Sequence, residues 1–557
     1  MKRRFAKEVR PLVLPWAIAC MAGCLPLDLF GGYFKIGTEI LGFLRGCLSF
    51  TFCGSLVLLA AMSFGTEFQH RTLPLLLAQP LGRSRIWAEK MLVLVAGVAS
   101  VGLLCWVSRG CLNLAQGVSF ETIADQFPLP AAILAGTLTV ATICSIGFWT
   151  LLARSTIGGA VLTVASLCFA ALGITLALQK MYGRVLAFED PIVTRVIVVA
   201  CLVYSATLLL LGWRKFDRLE LRDTLFGAGN FGSVANDGGR WSPDWLRCRP
   251  AGSLRNLVRK ELCLQKPVLM IAAVFSLLWL LTLALLFLEP ARKEVFENVL
   301  VALAAFYVPV SLLLAGCVPL GEEKILGLTA WHLTLPISAW RQWMAKLAVG
   351  VGAASALGVV LPVCLAWLTV RMTGNGLPHL LDDRHGGWLA LIVTSALMFP
   401  LSFWAVTLLG NTVRAALTAV LGLGVLGVFA ALGLWCGDHS NGNETALLSV
   451  LISWFHLRPD FLSAASFEFF VLGLTALPVL LLALAQSFRQ FRRSQPQPAA
   501  FLKCSAVLAL AAFVFSFWGA DLEASRRALP VESSAFPATA PVHQIISKVV
   551  AAEVTTL

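Results

Sequence analysis

The sequence has few charged residues. Only 13% of its 557 residues are Asp, Glu, Lys or Arg, and 58% are hydrophobic, whereas an ordinary soluble protein carries about 25% charged residues. Apolar runs of about 20 residues recur along the chain, and each could cross a hydrocarbon core of roughly 30 Å. Backbone polar groups in lipid must be hydrogen-bonded within their own segment, so these runs are predicted to be helices. The composition therefore excludes an ordinary soluble protein and predicts an all-α polytopic membrane protein.

Several motifs of enzymes and cofactor-binding proteins are missing from the sequence. It has no GxxxxGK[ST], no HExxH and no GxSxG, and its 15 cysteines form no CxxC and lie mostly in apolar segments. We therefore predict no catalytic residue, no cofactor site and no disulfide framework on this chain. His379, Asp382, Asp383 and His385 cluster in a predicted outer loop, but Arg384 between them would repel a cation, and we predict no metal site.

The positive charge follows the predicted membrane topology. The formal net charge is +13, and most Lys and Arg fall in cytoplasmic segments if the N-terminus is cytoplasmic, as the positive-inside rule requires. Topology and anionic lipid thus account for the charge, and nucleic acid is not needed as a partner. The first apolar run holds three prolines and Asp28 and is predicted to be a retained span. The predicted spans are 12–30, 43–64, 91–107, 129–152, 157–178, 194–212, 267–288, 299–319, 347–370, 388–411, 416–436, 469–487 and 504–519.

An internal repeat divides the chain into two similar halves. Residues 65–90 align without a gap on residues 321–346, and roughly two identities would be expected by chance. Seven pairs are identical: Gly65/Gly321, Glu67/Glu323, Leu77/Leu333, Pro80/Pro336, Arg85/Arg341, Trp87/Trp343 and Lys90/Lys346. Lys7-Glu8 likewise corresponds to Lys260-Glu261, just before the first span of each half. The sequence therefore predicts that one membrane module occurs twice.

Six spans per half is an even number, so both halves enter the membrane from the same side. The prediction is two parallel six-span helical repeats with pseudo-two-fold symmetry, plus one extra C-terminal span, about 13 in all. The predicted domains are 1–216, a first transmembrane domain; 217–256, a flexible cytoplasmic linker; 257–495, a second transmembrane domain; and 496–557, the extra span with an extracytoplasmic tail.

The repeated loop is predicted to be a short helix at the membrane surface. Glu67 and Arg71 are four residues apart, which favours an ion pair on one helical turn, and Leu73 to Leu77 supply an apolar surface. Pro80 ends this helix, because the residue before a proline avoids α geometry. Arg85, Trp87 and Lys90, with Arg341, Trp343 and Lys346 in the second half, are predicted to anchor the next span at the headgroup level.

The first loop resembles the corresponding loop of type-2 ATP-binding cassette permeases. The resemblance rests on Glu67, Arg71, Thr72, Leu73, Leu75, Leu76, Leu77, Pro80, Arg85 and Lys90, which are similar to the family pattern ExxxxTLxxLLxxPxxR with Arg85 two residues beyond its last position, and on the six-span halves. It implies a coupling helix in this loop, an interfacial helix before each first span, and two separate ATPase subunits that carry ATP and Mg²⁺. Glu323, Leu333 and Pro336 are the matching coupling residues of the second loop, which lacks the Thr-Leu and the Arg.

The resemblance implies an exporter permease in the bacterial cytoplasmic membrane, with the C-terminus outside. The spans carry few ionisable groups, which disfavours a proton or sodium relay and is compatible with an apolar or amphipathic substrate. Two other functions stay open at this stage. An ion-coupled secondary transporter requires paired buried charges or broken helices at matching positions of the halves, and a membrane scaffold or mechanical element requires bound partners without substrate flux.

Overall fold

The computed structural model is helical throughout the part of the chain that it describes. That part comprises residues 7–25, 38–69, 72–78, 80–115, 129–182, 191–219, 253–288, 293–325, 337–373, 387–409, 411–439, 464–493 and 498–528, and it contains no strand. The helices are α1 Val13–Cys24, α2 Thr38–Gln69, α3 Leu73–Leu77, α4 Arg83–Ala115, α5 Leu129–Ala153, α6 Thr156–Tyr182, α7 Pro191–Asp217, α8 Ser253–Leu264, α9 Lys266–Leu288, α10 Lys293–Ile325, α11 Ala339–Ala353, α12 Leu361–Thr373, α13 Gly387–Leu408, α14 Thr412–His439, α15 Ala464–Phe491 and α16 Pro498–Ala528, and a π-helical segment, Ala354–Val360, joins α11 to α12.

Within the described residues, each predicted span overlaps an apolar helix. Among the described residues, nine helices are long and apolar enough to cross a membrane, and four further apolar stretches are shorter, within α1, α6, α13 and α15. These lengths and compositions identify a multi-pass helical membrane protein. The total of 13 spans stays a prediction. So do the proposed domain boundaries, and most of the predicted linker, 220–252, lies outside the described residues.

The chain divides into two compact units. The first unit contains residues 1–26 and 46–421, and the second contains 27–45 and 422–557. The first unit therefore holds both repeated loops with the spans on either side of them. In the second unit, α15 packs against α16, and Gly433 of α14 approaches the backbone of Phe513 so closely that a Cβ there would lie 2.4 Å from its carbonyl oxygen.

Two corresponding glycines allow close helix contacts in the first unit. A Cβ at Gly65 of α2 would lie 2.8 Å from Cα of Thr156, at the start of α6. A Cβ at Gly321 of α10 would lie 2.9 Å from Cα of Thr412, at the start of α14. Real Cβ atoms do not approach a backbone atom this closely, so both positions require glycine. This explains one of the seven identities between the loops in terms of packing.

Candidate functional site: buried Lys–Glu clusters and a surface helix

The first buried charge cluster joins α2, α4 and the residues before α1. The Lys90 ammonium donates to a carboxylate oxygen of Glu8 at 2.6 Å, to Glu67 at 3.2 Å and to the Ser63 carbonyl at 3.2 Å. Lys90 is 2% exposed and Glu67 is 5% exposed, and Lys7 adds an attractive charge near Glu67. Removing an ammonium from water costs several kcal/mol unless its partners are well placed. The three acceptors therefore hold α4 against α2.

A second cluster repeats this arrangement in the second half. The Lys346 ammonium donates to Glu261 at 2.5 Å and to Glu323 at 2.6 Å, and Lys260 also donates to Glu323. Lys346 and Glu323 correspond to Lys90 and Glu67 with the same shift of 256 residues, and Lys260-Glu261 corresponds to Lys7-Glu8. Each cluster thus uses two lysines and two glutamates from corresponding positions. The burial of Glu261 in α8 raises the pKa of its carboxyl to about 7, against the lowering effect of Lys346.

The short helix α3 is seated on the first cluster and on an apolar core. The Thr72 hydroxyl donates to the second carboxylate oxygen of Glu67, and the Thr72 amide donates to the Glu67 carbonyl at 2.9 Å. Leu73 and Leu76 are buried, whereas Leu75 is 71% exposed. The core beneath α3 consists of Phe64, Ile86, Trp87, Leu151, Phe216 and Leu219. The helix therefore has one fixed face and one apolar side chain directed away from the protein.

Most of the predicted coupling residues of the first loop come together in this arrangement. Glu67, Leu73 and Leu76 are buried, Thr72 is half-buried, and Pro80 is exposed beyond the end of α3. Glu67 pairs with Lys90, and its predicted partner Arg71 lies outside the described residues. In the second loop Glu323 is placed as Glu67 is. Leu333 and Pro336 fall in 326–336, outside the described part, so a second coupling helix stays a prediction.

Four of the six predicted interface anchors are buried, which corrects the expectation that they extend to the headgroups. Lys90 and Lys346 point into the carboxylate clusters. Two acidic partners within 3.2 Å compensate the cost of removing each ammonium from water better than the more distant headgroup region would. Trp87 and Trp343 are 5% and 4% exposed. Only Arg85 and Arg341 are exposed as predicted, with Arg85 in an ion pair with Glu89 at 3.2 Å.

The two buried tryptophans are packed differently. Trp87 contacts Phe64 with a centroid separation of 4.6 Å, and a Cβ at Gly147 would lie 2.6 Å from its ring. Trp87 also contacts Phe216, with a centroid separation of 5.5 Å. In the second half, Trp343 contacts Trp340 and Phe403, with centroid separations of 5.3 Å and 6.0 Å. Both tryptophans are thus held in aromatic surroundings, which explains their burial.

The clusters also revise the prediction that the spans hold few ionisable groups. The helices extend beyond the predicted spans, and Glu67, Lys90, Glu323 and Lys346 fall within apolar helical stretches of 19 to 34 residues. Sequence reasoning missed them because it assigned these residues to surface loops. The available signal was the identity of Glu67/Glu323 and Lys90/Lys346 in both halves together with the matching Lys-Glu dipeptides.

An apolar cavity of about 340 Å³ lies within the first unit, between helices of both halves. Its lining comes from α2, α6, α9, α10 and α14, and it is almost entirely aliphatic, with Tyr307 and Phe275 stacked at 3.8 Å. Many lining residues occupy corresponding positions in the two halves, 256 residues apart. These pairs are Thr51/Tyr307, Gly54/Val310, Val57/Leu313, Leu58/Leu314, Ile157/Val413, Ala160/Ala416, Val161/Leu417 and Val164/Val420.

A hydrogen bond joins the two halves at one end of these helices. The Asn411 amide donates to the Gln69 side-chain oxygen at 3.3 Å, and the Asn411 side chain also accepts from the Val413 amide at 2.8 Å. Asn411 thereby caps α14 as Ser155 caps α6, where Ser155 accepts from the Gly158 amide at 2.9 Å. The C-terminal end of α2, which leads into α3, is thus tied to the second half.

Comparisons with known proteins identify no relative. No protein-family model, curated protein or solved structure matches this chain. The functional argument therefore rests on the clusters, the surface helix and the cavity.

Proposed function

We propose that this chain is the membrane-spanning permease of an ATP-driven exporter, to which two separate ATPase subunits dock. In this proposal the chain is built from two parallel six-span repeats and an extra thirteenth span. It lies in the bacterial cytoplasmic membrane with its N-terminus in the cytoplasm. Its substrate is apolar or amphipathic, which is consistent with an aliphatic cavity between the halves.

The proposal depends mainly on the way in which α3 is held against the rest of the protein. A five-residue helix cannot be stable alone, yet α3 is fixed by two buried leucines and by the Glu67–Thr72 bonds while it exposes Leu75. Such a preorganised helix with an apolar exposed side suits the groove of a partner protein. Movement of a docked partner would be transmitted through Glu67 to Lys90 and α4, because these groups are bonded directly.

The cavity is lined by corresponding residues of the two halves, and this supports the proposal that the halves move against each other. If both halves move against each other about a pseudo-two-fold axis, a space between corresponding residues is the part that changes most. Lys346 and Glu323 would transmit force in the second half as Lys90 and Glu67 do in the first. The Gln69–Asn411 bond lies where the halves meet, next to the base of the coupling loop.

The test is purification of the full chain with its natural partners, followed by measurement of bound ATPase. Leu75→Asp should reduce the bound ATPase by about half or more, since a charge replaces the exposed apolar contact without disturbing the buried face of α3. Ser84→Asp is the matched control, because it adds the same charge at an exposed position outside α3, in the first turn of α4. The proposal fails if no ATP-binding subunit co-purifies or if Leu75→Asp retains the wild-type amount.

The buried clusters favour a second candidate, an ion-coupled secondary transporter. Paired buried charges at matching positions of the two halves are what such a protein requires, and both clusters meet this description. Their position near the ends of α2 and α10 makes them better suited to fixing helices than to conducting ions through the bilayer. Proton uptake into liposomes driven by a pH gradient without ATP, abolished by Glu67→Gln with Glu323→Gln, would favour this candidate.

A further inference from the structure

A basic pocket lies at the C-terminal ends of α5 and α7. It encloses about 610 Å³, and its polar lining consists of Arg154, Arg214, Lys215 and Arg218. Among the described residues that line it, there is no carboxylate. Arg154 and Lys215 are close enough to repel each other electrostatically. Four cations gathered around one concave space favour an anionic ligand, which would relieve this repulsion.

Local backbone geometry places the cations around this space. Arg154 adopts a left-handed backbone conformation with φ of 50° in the turn between α5 and α6. Such a conformation is unfavourable for a residue with a Cβ and is usually taken by glycine. Arg214 and Lys215 lie on the last turn of α7, and Arg218 follows directly after the helix, where its amide donates to the Arg214 carbonyl at 3.2 Å. Arg83 donates to the carbonyl of Asp217 and so holds this turn to the start of α4.

The remaining walls of the pocket are apolar. Leu152 and Leu211 line it and are 46% and 41% exposed, and Lys215 lies over the Phe148 ring at 5.5 Å from its centroid. Both helices are apolar enough to span a membrane, and the cations occupy their ends, where lipid headgroups lie. A ligand that matches both surfaces has a phosphate beside a hydrocarbon chain.

We propose that this pocket binds the phosphate headgroup of an anionic membrane lipid. The phosphate would lie among Arg154, Arg214, Lys215 and Arg218, and an acyl chain would lie along Leu152 and Leu211. Arginine donates to phosphate in a forked geometry, and basic pockets between membrane helices hold anionic headgroups in this way. The site does not depend on ATP-driven transport, so the two proposals stand or fall separately.

The pocket also borders the apolar core on which α3 packs. Its wall residues Leu151 and Leu219 belong to the apolar core on which Leu73 and Leu76 pack. A bound headgroup would therefore stabilise the turn at 215–219 and, through these two leucines, the coupling helix. This gives the proposal a structural consequence that can be measured apart from binding.

The test is native mass spectrometry of the full chain in detergent, titrated with phosphatidylglycerol or phosphatidylcholine. Phosphatidylglycerol should bind with at least about tenfold higher affinity. Arg154→Gln with Lys215→Gln should reduce this preference about tenfold or more. The reason is that each basic side chain near the headgroups contributes a substantial part of the electrostatic attraction to an anionic lipid. Arg489→Gln with Arg493→Gln is the matched control at the end of α15, with the same change of charge, and should keep the preference.

Three results would overturn the proposal. The first is equal affinity for the two lipids. The second is an equal loss in the control variant, which would show a general surface-charge effect. The third is displacement of phosphatidylglycerol by millimolar glycerol phosphate, which would assign the pocket to a soluble phosphate compound. As a second readout, phosphatidylglycerol should slow amide hydrogen exchange in 72–78 of the wild type and not of the Arg154→Gln, Lys215→Gln variant.

Discussion

At the scale of single residues, each cluster places one ammonium among several oxygen acceptors. Lys90 and Lys346 contact two acidic side chains each, so removal of the lysine takes away the cation that compensates these buried groups. A buried ion pair stabilises the folded protein little more than apolar residues in the same place would. Removal of one partner alone, however, destabilises the protein strongly, because the other charge stays buried without its partner. The clusters therefore act mainly to specify how α4 and α11 dock.

We predict that Lys346→Met destabilises the protein by about 3–5 kcal/mol. Adding Glu261→Gln and Glu323→Gln to this variant should recover most of the loss, because the unpaired charges are then gone. Thermal unfolding in detergent measures both effects. Arg85→Met is the control, since the Arg85–Glu89 pair is exposed and should change stability by about 0.5 kcal/mol or less. Equal melting of wild type and Lys346→Met would contradict the role of the cluster.

Glu261 should make stability dependent on pH. Its pKa is raised to about 7 in the folded protein from an ordinary value of 4.5, so between these values the folded state binds more protons than the unfolded state. The free energy of unfolding should therefore fall as pH rises through this window. Denaturation at several pH values should show a smaller fall in Glu261→Gln than in the wild type. An unchanged slope in Glu261→Gln would refute the assignment.

The sequence indicated which residues matter at this scale but not what they do. The identities Glu67/Glu323, Trp87/Trp343 and Lys90/Lys346 were visible, yet all six were assigned to the surface or to the headgroup interface. Burial depends on which helices pack against them, and a single sequence does not contain that information. The exposure of Arg85 and Arg341 follows from a general tendency, because charged side chains mostly stay in contact with water.

At the scale of elements, the span that contains α11 and α12 is interrupted by the π segment Ala354–Val360. The Tyr307 hydroxyl donates to the carbonyl of Leu357 at 2.7 Å, within this segment. A Cβ at Gly358 would lie 2.9 Å from Leu312, so the neighbouring helix α10 closely borders the widened turn. The sequence predicted one continuous span at 347–370, because a change of helical period over seven small apolar residues leaves no mark on the hydropathy pattern. π segments are often found at functional sites, and this one borders the cavity through Tyr307.

We predict that Tyr307→Phe loosens the π segment. The Leu357 carbonyl, which is half-buried, would lose its side-chain partner, and this costs about 1 kcal/mol. Amide hydrogen exchange in 354–362 should accelerate, with little change in α10 itself. Tyr204→Phe removes a tyrosine hydroxyl that is bonded to Ser166 at 2.6 Å and should leave exchange in 354–362 unchanged. Exchange that stays at the wild-type rate in Tyr307→Phe would show that the bond does not hold the segment.

At the scale of the whole molecule, the sequence predicted the helices and their order well and the cavity not at all. Apolar runs fix where spans occur, since length and hydrophobicity suffice for that. The cavity arises from corresponding positions of α2 and α10 and of α6 and α14, where aliphatic residues replace one another freely. Ile157/Val413 and Val161/Leu417 illustrate why the repeat is weak there: any residue of similar shape fills the same place.

The cavity provides a test of this architecture that needs no knowledge of a substrate. Gly54 faces open space beside the cavity, and the thiols of Cys53 and Cys168 line it. Gly54→Trp should fill much of the space and slow the reaction of Cys168 with N-ethylmaleimide several-fold, while exposed Cys364 reacts as before. Gly102→Trp adds the same side chain at an exposed position of α4 with open space around it and should leave Cys168 unaffected. Labelling followed by peptide mass spectrometry measures both rates, and an unchanged rate at Cys168 in Gly54→Trp would mean that α2 and α6 do not enclose a common space.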